Sequence, residues 1–119
     1  MNRALVLLVV MVVGCSTGLL SSDPPSETHR VLLINADETL AIHIFRSDES
    51  FAPSNRIEPE GSRSVEMLLV HGTQITFRAG RDGEILASVG CEPFFGEEAL
   101  LPAVAWGGGG LSCSGWDGG

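Results

Sequence analysis

The sequence contains no lysine and no tyrosine, and its seven arginines are outnumbered by 15 acidic residues. The formal charge of −8 argues against nucleic acid as a partner, because binding to phosphates needs clustered cations in excess. The same deficit argues against electrostatic docking on an anionic membrane. At 119 residues, the chain is long enough for one small domain.

Motifs for catalysis or metal binding are also missing. The three histidines stand far apart, whereas zinc sites have closely spaced ligands. Paired carboxylates, Glu58/Glu60 and Glu97/Glu98, lie in polar loops, where nothing separates their pKa values. The glycine run Gly107–Gly110 lacks the Lys-Ser or Lys-Thr of a phosphate loop. We therefore expect a protein that is not an enzyme and that has no metal site and no cofactor.

No apolar run is long enough to span a membrane. The longest, Ala4–Val13, has about ten residues, whereas a membrane-spanning helix needs about 20. It follows the basic Arg3 and ends just before Gly14-Cys15, an order typical of a secretory signal peptide. The sequence therefore predicts export.

The end of this run carries a second signal. Val12 stands three positions before Cys15, Gly14 directly precedes it and Ser16 follows it, although Val13 departs from the usual small residue. This order resembles the lipobox of bacterial lipoproteins. The resemblance implies that Cys15 becomes the lipidated mature N-terminus, carrying acyl chains such as palmitate. Because Ser16 rather than an Asp follows Cys15, the resemblance also implies that the protein is sorted to the outer membrane. The alternative is an uncleaved membrane anchor that extends from Ala4 through Leu20, 17 residues interrupted by Gly14–Gly18.

We expect four segments along the chain. They are a signal peptide at 1–14, a flexible tether at 15–29, a β-sandwich domain at 30–106 and a glycine-rich tail at 107–119. The tether has turn-forming residues without an apolar period. Seven of the 13 tail residues are glycine, which loses much entropy on ordering.

Apolar residues at every second position predict the strands of the domain. The expected strands are 31–34, 40–45, 63–69, 75–79, 85–91 and 100–106. The first two are expected to form a hairpin, and Pro102 is expected to place the last strand at an edge. The only helical candidate is Glu97–Leu101. The pattern predicts an all-β fold, a small antiparallel β-sandwich of about six to seven strands.

Turns and strands follow a recognisable order between Val31 and Val89. Its markers are Pro59–Arg63, His71-Gly72, Phe77–Gly80 and Asp82–Leu86. This order is similar to the β domain of the von Hippel–Lindau family, a small sandwich. The resemblance implies fold and no function, because the chain lacks the family's strand tryptophan and its pocket for a hydroxyproline peptide.

Cysteine parity predicts a disulfide. If Cys15 takes lipid, Cys91 and Cys113 are left in an exported compartment that permits disulfides. Their bridge is worth roughly 3 kcal/mol in the chain-entropy model and would pin the glycine tail to the last core strand. The alternative is that Cys91 is a small buried residue and Cys113 a free thiol.

Four arginines are candidate binding residues, because guanidinium groups pair well with carboxylate, phosphate and anionic sugar. They are Arg56, Arg63, Arg78 and Arg81. The alternative is that these arginines neutralise nearby glutamates.

The sequence thus predicts a lipid-anchored β-sandwich that acts as a binding or structural module of the bacterial cell envelope. Its membrane contact is the lipid on Cys15. The expected partner is an envelope protein or an anionic glycan. The alternative is a small envelope enzyme inhibitor or hydrolase that uses loops 47–62 and 92–119.

Overall fold

A computed structural model of the protein describes residues 24–118. It contains one 3-10 helix, Pro53–Asn55, and eight strands. The strands are β1 (Ser26–Asn35), β2 (Ile42–Arg46), β3 (Arg56–Ile57), β4 (Ser62–Val70), β5 (Ile75–Arg81), β6 (Glu84–Cys91), β7 (Ala103–Gly107) and β8 (Gly110–Ser114). The all-β prediction is confirmed. The helical candidate Glu97–Leu101 does not form a helix, since that stretch is irregular.

The strands form two sheets of four. The β1 sheet has the order β4-β1-β7-β8, and the β5 sheet has the order β3-β2-β5-β6. Neighbouring strands are antiparallel except β1 and β7, which run parallel. The predicted sandwich is therefore confirmed, with more strands than expected and one parallel pair.

The core lies between the sheets and is built from alternate residues of each strand. Val31 and Leu33 face inward from β1, and Phe77 and Ala79 face inward from β5, all at most 3% exposed. This spacing of two follows from the pleat of a strand, which sends successive side chains to opposite faces. The other core residues are Ile42, Ile44, Ile57, Met67, Leu69, Cys91, Leu100, Val104, Trp106 and Trp116.

The predicted hairpin between the first two strands is wrong, because β1 and β2 belong to different sheets. Asn35, fully buried, accepts a hydrogen bond from the Asp37 backbone N–H at 2.9 Å, which turns the chain at the end of β1. Its amide donates to the carbonyls of Leu40 and Ile57, at 2.9 and 3.1 Å. The chain thus crosses to the other sheet, and the apolar faces of both strands pack against each other.

The domain begins earlier than predicted. Polar residues assigned to the tether, Ser26–His29, are the first four of β1 and pair with Met67–Val70 of β4. Backbone hydrogen bonds to a neighbouring strand need no apolar side chain, so hydropathy did not reveal this extension. The signal peptide, Cys15 and the tether up to residue 23 lie outside the described residues.

The predicted tail is part of the sandwich. Gly108 and Gly109 have φ values of 61° and 83° and form a two-residue hairpin turn, a conformation that glycine adopts without strain. β8 follows as the outer strand of the β1 sheet. The prediction that the strand after Pro102 lies at an edge of its sheet is therefore wrong, since β7 lies between β1 and β8. Pro102 precedes the strand and contributes only its carbonyl, which accepts from the Leu32 N–H at 3.0 Å.

The predicted disulfide is confirmed. Cys91 at the end of β6 is bonded to Cys113 in β8, with their Cα atoms 5.9 Å apart. The bond joins the outer strand of one sheet to the outer strand of the other. Beyond it, the Trp116 indole N–H donates to the Ala103 carbonyl at 2.9 Å, and its ring lies 5.9 Å from that of Phe77.

Replacing Phe77 tests the inward face of β5. Phe77→Ala removes a side chain that is 1% exposed, so we expect a loss of about 3–5 kcal/mol in the free energy of unfolding. Thr76→Ala, on the opposite face, is expected to cost under about 1 kcal/mol. Urea denaturation measures both. Equal losses would contradict the assignment of the faces.

Reducing the disulfide tests its contribution. We expect a loss of about 2–4 kcal/mol in unfolding free energy, because the unfolded chain gains entropy. Hydrogen exchange in residues 107–118 should accelerate, since β8 loses its bond to β6. A Cys113 thiol that is fully alkylated in protein prepared from the envelope would contradict the disulfide.

Candidate functional site

A cleft of about 250 Å³ opens between the two sheets. It lies along β4 and β2, on the side of the sandwich away from the β6–β8 disulfide. Its lining residues are Leu33, Ile44, Phe45, Arg46, Glu49, Ser54, Asn55, Arg63, Val65, Glu66, Met67 and Phe77.

The floor and one wall of the cleft are apolar. Leu33, Ile44 and Phe77 come from three different strands and are at most 3% exposed. Val65 and Met67 add a wall from β4, since both occupy its inward-facing positions. These side chains close the bottom of the cleft, but Leu33, Ile44 and Phe77 present almost no surface to solvent there.

Two arginines occupy strand positions that otherwise face the core. Arg46 continues the inward row of Ile42 and Ile44 in β2, and Arg63 begins the inward row of Val65 and Met67 in β4. Strand alternation therefore aims both guanidinium groups toward the cleft rather than toward the outer faces of the sheets.

The two guanidinium groups differ in their partners. The Arg46 Nε lies 3.6 Å from carboxylate oxygens of both Asp48 and Glu49. Glu49 also accepts from the Arg46 backbone N–H at 3.0 Å, which closes the turn after β2. Arg63 is half-buried, and no carboxylate between residues 24 and 118 lies within 4.0 Å of its guanidinium. Within the described part of the chain, Arg63 is therefore a cation of the cleft without a carboxylate partner.

Asn55 holds the loop that forms one rim. Its Oδ1 accepts from the Ala52 N–H at 3.2 Å and from His43 Nδ1 at 2.7 Å, so Nδ1 carries the His43 proton. Its amide donates to the Ser50 carbonyl at 2.9 Å. These bonds hold the loop at this rim of the cleft in one conformation.

Phe51 anchors the same loop on the outer face of the β5 sheet. Its ring stands edge-on to those of Phe45 and His43, at 5.1 and 5.3 Å. A Cβ at Gly80 would lie only 2.4 Å from this ring, so glycine is required for the close approach. The loop predicted at 47–62 is thus largely ordered, and the segment 92–119 contains β7 and β8.

The predicted arginine surface does not form. Arg56 pairs with Glu58 at the edge strand β3, as the neutralisation alternative expected. Arg78 alternates with the inward-facing Phe77 and Ala79, which places it on the outer face of the β5 sheet. Of the four predicted arginines, Arg63 alone lines the cleft.

Arg81 has a structural role. Its Nε donates to the Ala41 carbonyl at 2.8 Å, and its guanidinium lies 3.5 Å from Asp37. Hydrogen bonds from the Thr39 and Leu40 backbone lower the pKa of Asp37, and Arg81 adds to this effect. Arg81 thus helps to hold the crossover between the sheets.

The sequence analysis did not identify Arg46 as a candidate, and it did not distinguish Arg63 from the other three candidate arginines. The signal was present, because each arginine extends an alternating apolar row by one position. Such an arginine faces either the core or its rim, and only the stacking of the sheets decides which.

No three His, Cys, Asp or Glu side chains cluster as metal ligands within residues 24–118. The same stretch contains no helix long and apolar enough to cross a bilayer.

Comparison with protein-family models, with curated proteins and with solved structures found no match. The lipobox and the likeness to the von Hippel–Lindau β domain therefore stay predictions.

Replacing Arg63 tests whether its half-buried charge lowers the free energy of unfolding. A half-buried charge without a partner costs stability, so we expect Arg63→Met to leave the free energy of unfolding unchanged or to raise it by up to about 1 kcal/mol. The control Arg81→Met removes a hydrogen bond and an ion pair, and should lower it by about 1–2 kcal/mol. Urea denaturation compares the two. A larger loss at Arg63 than at Arg81 would show that Arg63 is needed for folding.

Proposed function

We propose that the protein is a non-enzymatic binding module of the bacterial cell envelope, anchored by lipid on Cys15, and that the cleft is its ligand site. The observation that carries this proposal is the guanidinium of Arg63, which faces the cleft without a carboxylate partner among residues 24–118. An acidic group on a ligand would supply that partner.

Energetics support a binding role for the cleft. An apolar residue at position 63 would continue the inward row of β4 without the cost of desolvating a charge. Strained or unpaired groups of this kind are found where function requires them. The rim held by Asn55 is also typical of small-molecule sites, which are largely formed before the ligand binds.

The proposed anchor would keep the cleft near the membrane. Ten residues lie between Cys15 and Ser26, the first residue of β1, so the eleven steps from one Cα atom to the next limit the tether to about 40 Å at full extension. A disulfide in the domain is consistent with an oxidising compartment such as the periplasm. The absence of an aspartate after Cys15 favours the outer membrane.

The anchor is tested by lipid labelling in a bacterial host. Labelled palmitate should enter the wild-type protein and should not enter Cys15→Ser, because that variant lacks the acceptor thiol. The mature wild-type chain should begin at Cys15. Label that persists in Cys15→Ser, or a mature chain that begins at Met1, would overturn the anchoring proposal.

The cleft is tested on protein purified from envelopes. Small molecules carried by the wild type are extracted and identified by mass spectrometry, and the same is done for Ser54→Phe, which narrows the rim. The matched control is Ser64→Phe, on the outer face of β4. We expect the carried molecule to be lost from Ser54→Phe and kept in Ser64→Phe. Equal amounts in all three proteins, or none in the wild type, would contradict binding in the cleft.

A further inference from the structure

We propose that the ligand of the cleft is an extended peptide that adds a strand to the free edge of β4 and places an acidic side chain opposite Arg63, an inference that rests on the proposed binding function. The backbone of β4, the position of the cleft and the charges along the strand each point to this occupant.

β4 is an edge strand with a long unpaired side. It pairs with β1 in one unbroken register, and no strand of the described chain lies on its other side. It contains neither a proline nor a bulge, two features that commonly block an edge. Among the other edge strands, β3 and β8 have two and five residues, and β6 is bonded to β8 by the disulfide. β4 therefore offers the longest accessible backbone to an added strand.

The backbone groups that face this free edge belong to even-numbered residues. At one end of the β1–β4 ladder, the Asn35 N–H donates to the Gly61 carbonyl at 2.9 Å. At the other end, the His71 N–H donates to the Pro25 carbonyl, also at 2.9 Å. Backbone groups of an antiparallel strand point alternately to its two sides, so the odd-numbered residues of β4 bond to β1. The even-numbered residues point to the free edge, and they include Ser64, Glu66 and Leu68.

The cleft opens at this same edge. Its lining includes Arg63 from the inward row of β4 and Glu66 from the outer face of the same strand. Side chains from both faces of one strand border a single opening where that opening runs past the edge of the strand. A strand added beside β4 would therefore lie at the mouth of the cleft, with alternate side chains pointing into it.

The acidic side chain of the peptide follows from Arg63. Because Arg63 directs its own backbone groups to β1, it forms a non-hydrogen-bonded pair with an antiparallel strand on the free side, in which opposite Cα atoms lie about 4.5 Å apart. A carboxylate at the opposite position thus comes close enough for a charge-assisted pair with the guanidinium. An apolar side chain there would bury the charge of Arg63 without a partner.

The outer face of β4 adds a second requirement. The carboxylate of Glu66 has no cation within 4.0 Å among residues 24–118. In an antiparallel peptide, the residue opposite Glu66 stands three positions before the residue opposite Arg63. A basic side chain there is favourable, since opposite charges attract across neighbouring strands. The peptide therefore carries Arg or Lys, then two further residues, then Asp or Glu.

A second copy of the chain does not meet these requirements. If two β4 strands paired antiparallel, inward-facing residues would oppose inward-facing residues. Those of β4 are Arg63, Val65, Met67 and Leu69. None of them is acidic, so Arg63 would stay without a carboxylate. The added strand therefore has a different sequence.

Binding is measured by calorimetry on the lipidated protein in lipid nanodiscs, with empty nanodiscs as the blank. The probe is the peptide acetyl-Thr-Val-Arg-Val-Thr-Glu-Thr-amide, and its matched control has Gln in place of Glu. We expect the probe to bind with a Kd below about 1 mM and the Gln control to bind at least about tenfold more weakly, because it lacks the charge-assisted pair.

A peptide with its Arg and Glu exchanged tests the direction of the added strand. It has the composition of the probe, but it matches Arg63 and Glu66 only in a parallel arrangement. We expect it to bind at least about tenfold more weakly than the probe. Tighter binding than the probe would overturn the antiparallel arrangement.

Two protein variants locate the acidic side chain. Arg63→Gln should weaken binding of the probe at least about tenfold and leave binding of the Gln peptide within about twofold. Arg78→Gln removes the same charge from the outer face of the β5 sheet, and should change the Kd of the probe less than about twofold. Urea denaturation of both variants verifies that they fold.

N-methylated peptides test the strand addition itself. The Thr before the Glu lies opposite Ser64 and directs its N–H to β4, so its N-methylation should weaken binding at least about tenfold. The Val before that Thr lies opposite Val65 and directs its N–H away from β4. Its N-methylation should therefore change the Kd less than about threefold.

Hydrogen exchange gives the same alternation on the protein side. The bound probe should slow exchange of the N–H groups that face the free edge, because they donate to the peptide. These are the N–H groups of Ser64, Glu66 and Leu68. Exchange at Val65 and Met67 should change little, since their N–H groups already bond to β1.

The outcomes separate this inference from the proposed function. If the Gln peptide binds as tightly as the probe, or if binding survives Arg63→Gln, the pairing with Arg63 is overturned. Equal effects of the two N-methyl groups overturn the strand addition. If no peptide binds up to about 1 mM while protein from envelopes carries a molecule that is not a peptide, the inference fails and the proposed function stands. If no peptide binds and nothing is carried, both fail, and the inward charge of Arg63 only protects the edge from pairing.

Discussion

The disulfide between Cys91 and Cys113 determines which side of the sandwich is closed and which can open. It joins the outer strands β6 and β8 of the two sheets. Trp116, just beyond it, packs against Phe77 and donates to Ala103, which adds buried contact on the same side. The opposite side of the sandwich has no such covalent link, and the cleft lies there, between β4 and β2.

Asn35 provides the second constraint, at the crossover from the β1 sheet to the β5 sheet. A fully buried amide must have its hydrogen-bonding groups satisfied, and Asn35 uses backbone partners on both sides of the crossover. These bonds tie β3 to the end of β1 without filling the space beside β4. With the disulfide on the far side, they hold the sheets together while the cleft stays open.

Arg63 is the exception in an otherwise apolar inward row of β4. Its neighbours in the inward row, Val65 and Met67, contribute to packing, whereas Arg63 adds a charge without a carboxylate partner among the described residues. In our proposal an acidic group on the bound ligand supplies that partner. Ligand binding would then stabilise the fold, because a ligand that binds only the folded state raises the free energy of unfolding.

The sequence by itself determined the fold class, most of the strands and their inward faces. A period of two is a local property, so the burial of Phe77 and Ala79 was visible before any tertiary contact was known. The Asp82-Gly83 turn was equally local and joins β5 to β6 as expected. Cysteine parity predicted the disulfide on the expectation that Cys15 takes lipid, which would leave Cys91 and Cys113 to pair.

Tertiary structure alone decided which strands pair and where the cleft lies. The turns at Asn35 and at His71-Gly72 are tight, and a tight turn serves a hairpin or a crossover between sheets equally well. The glycine-rich end became β8 because pairing with β7 and the bond to Cys91 offset the entropy that glycine loses on ordering. Arg63 likewise lies at the rim of a cleft because the two stacked sheets leave space there. The distance between the sheets is set by residues far apart in the chain.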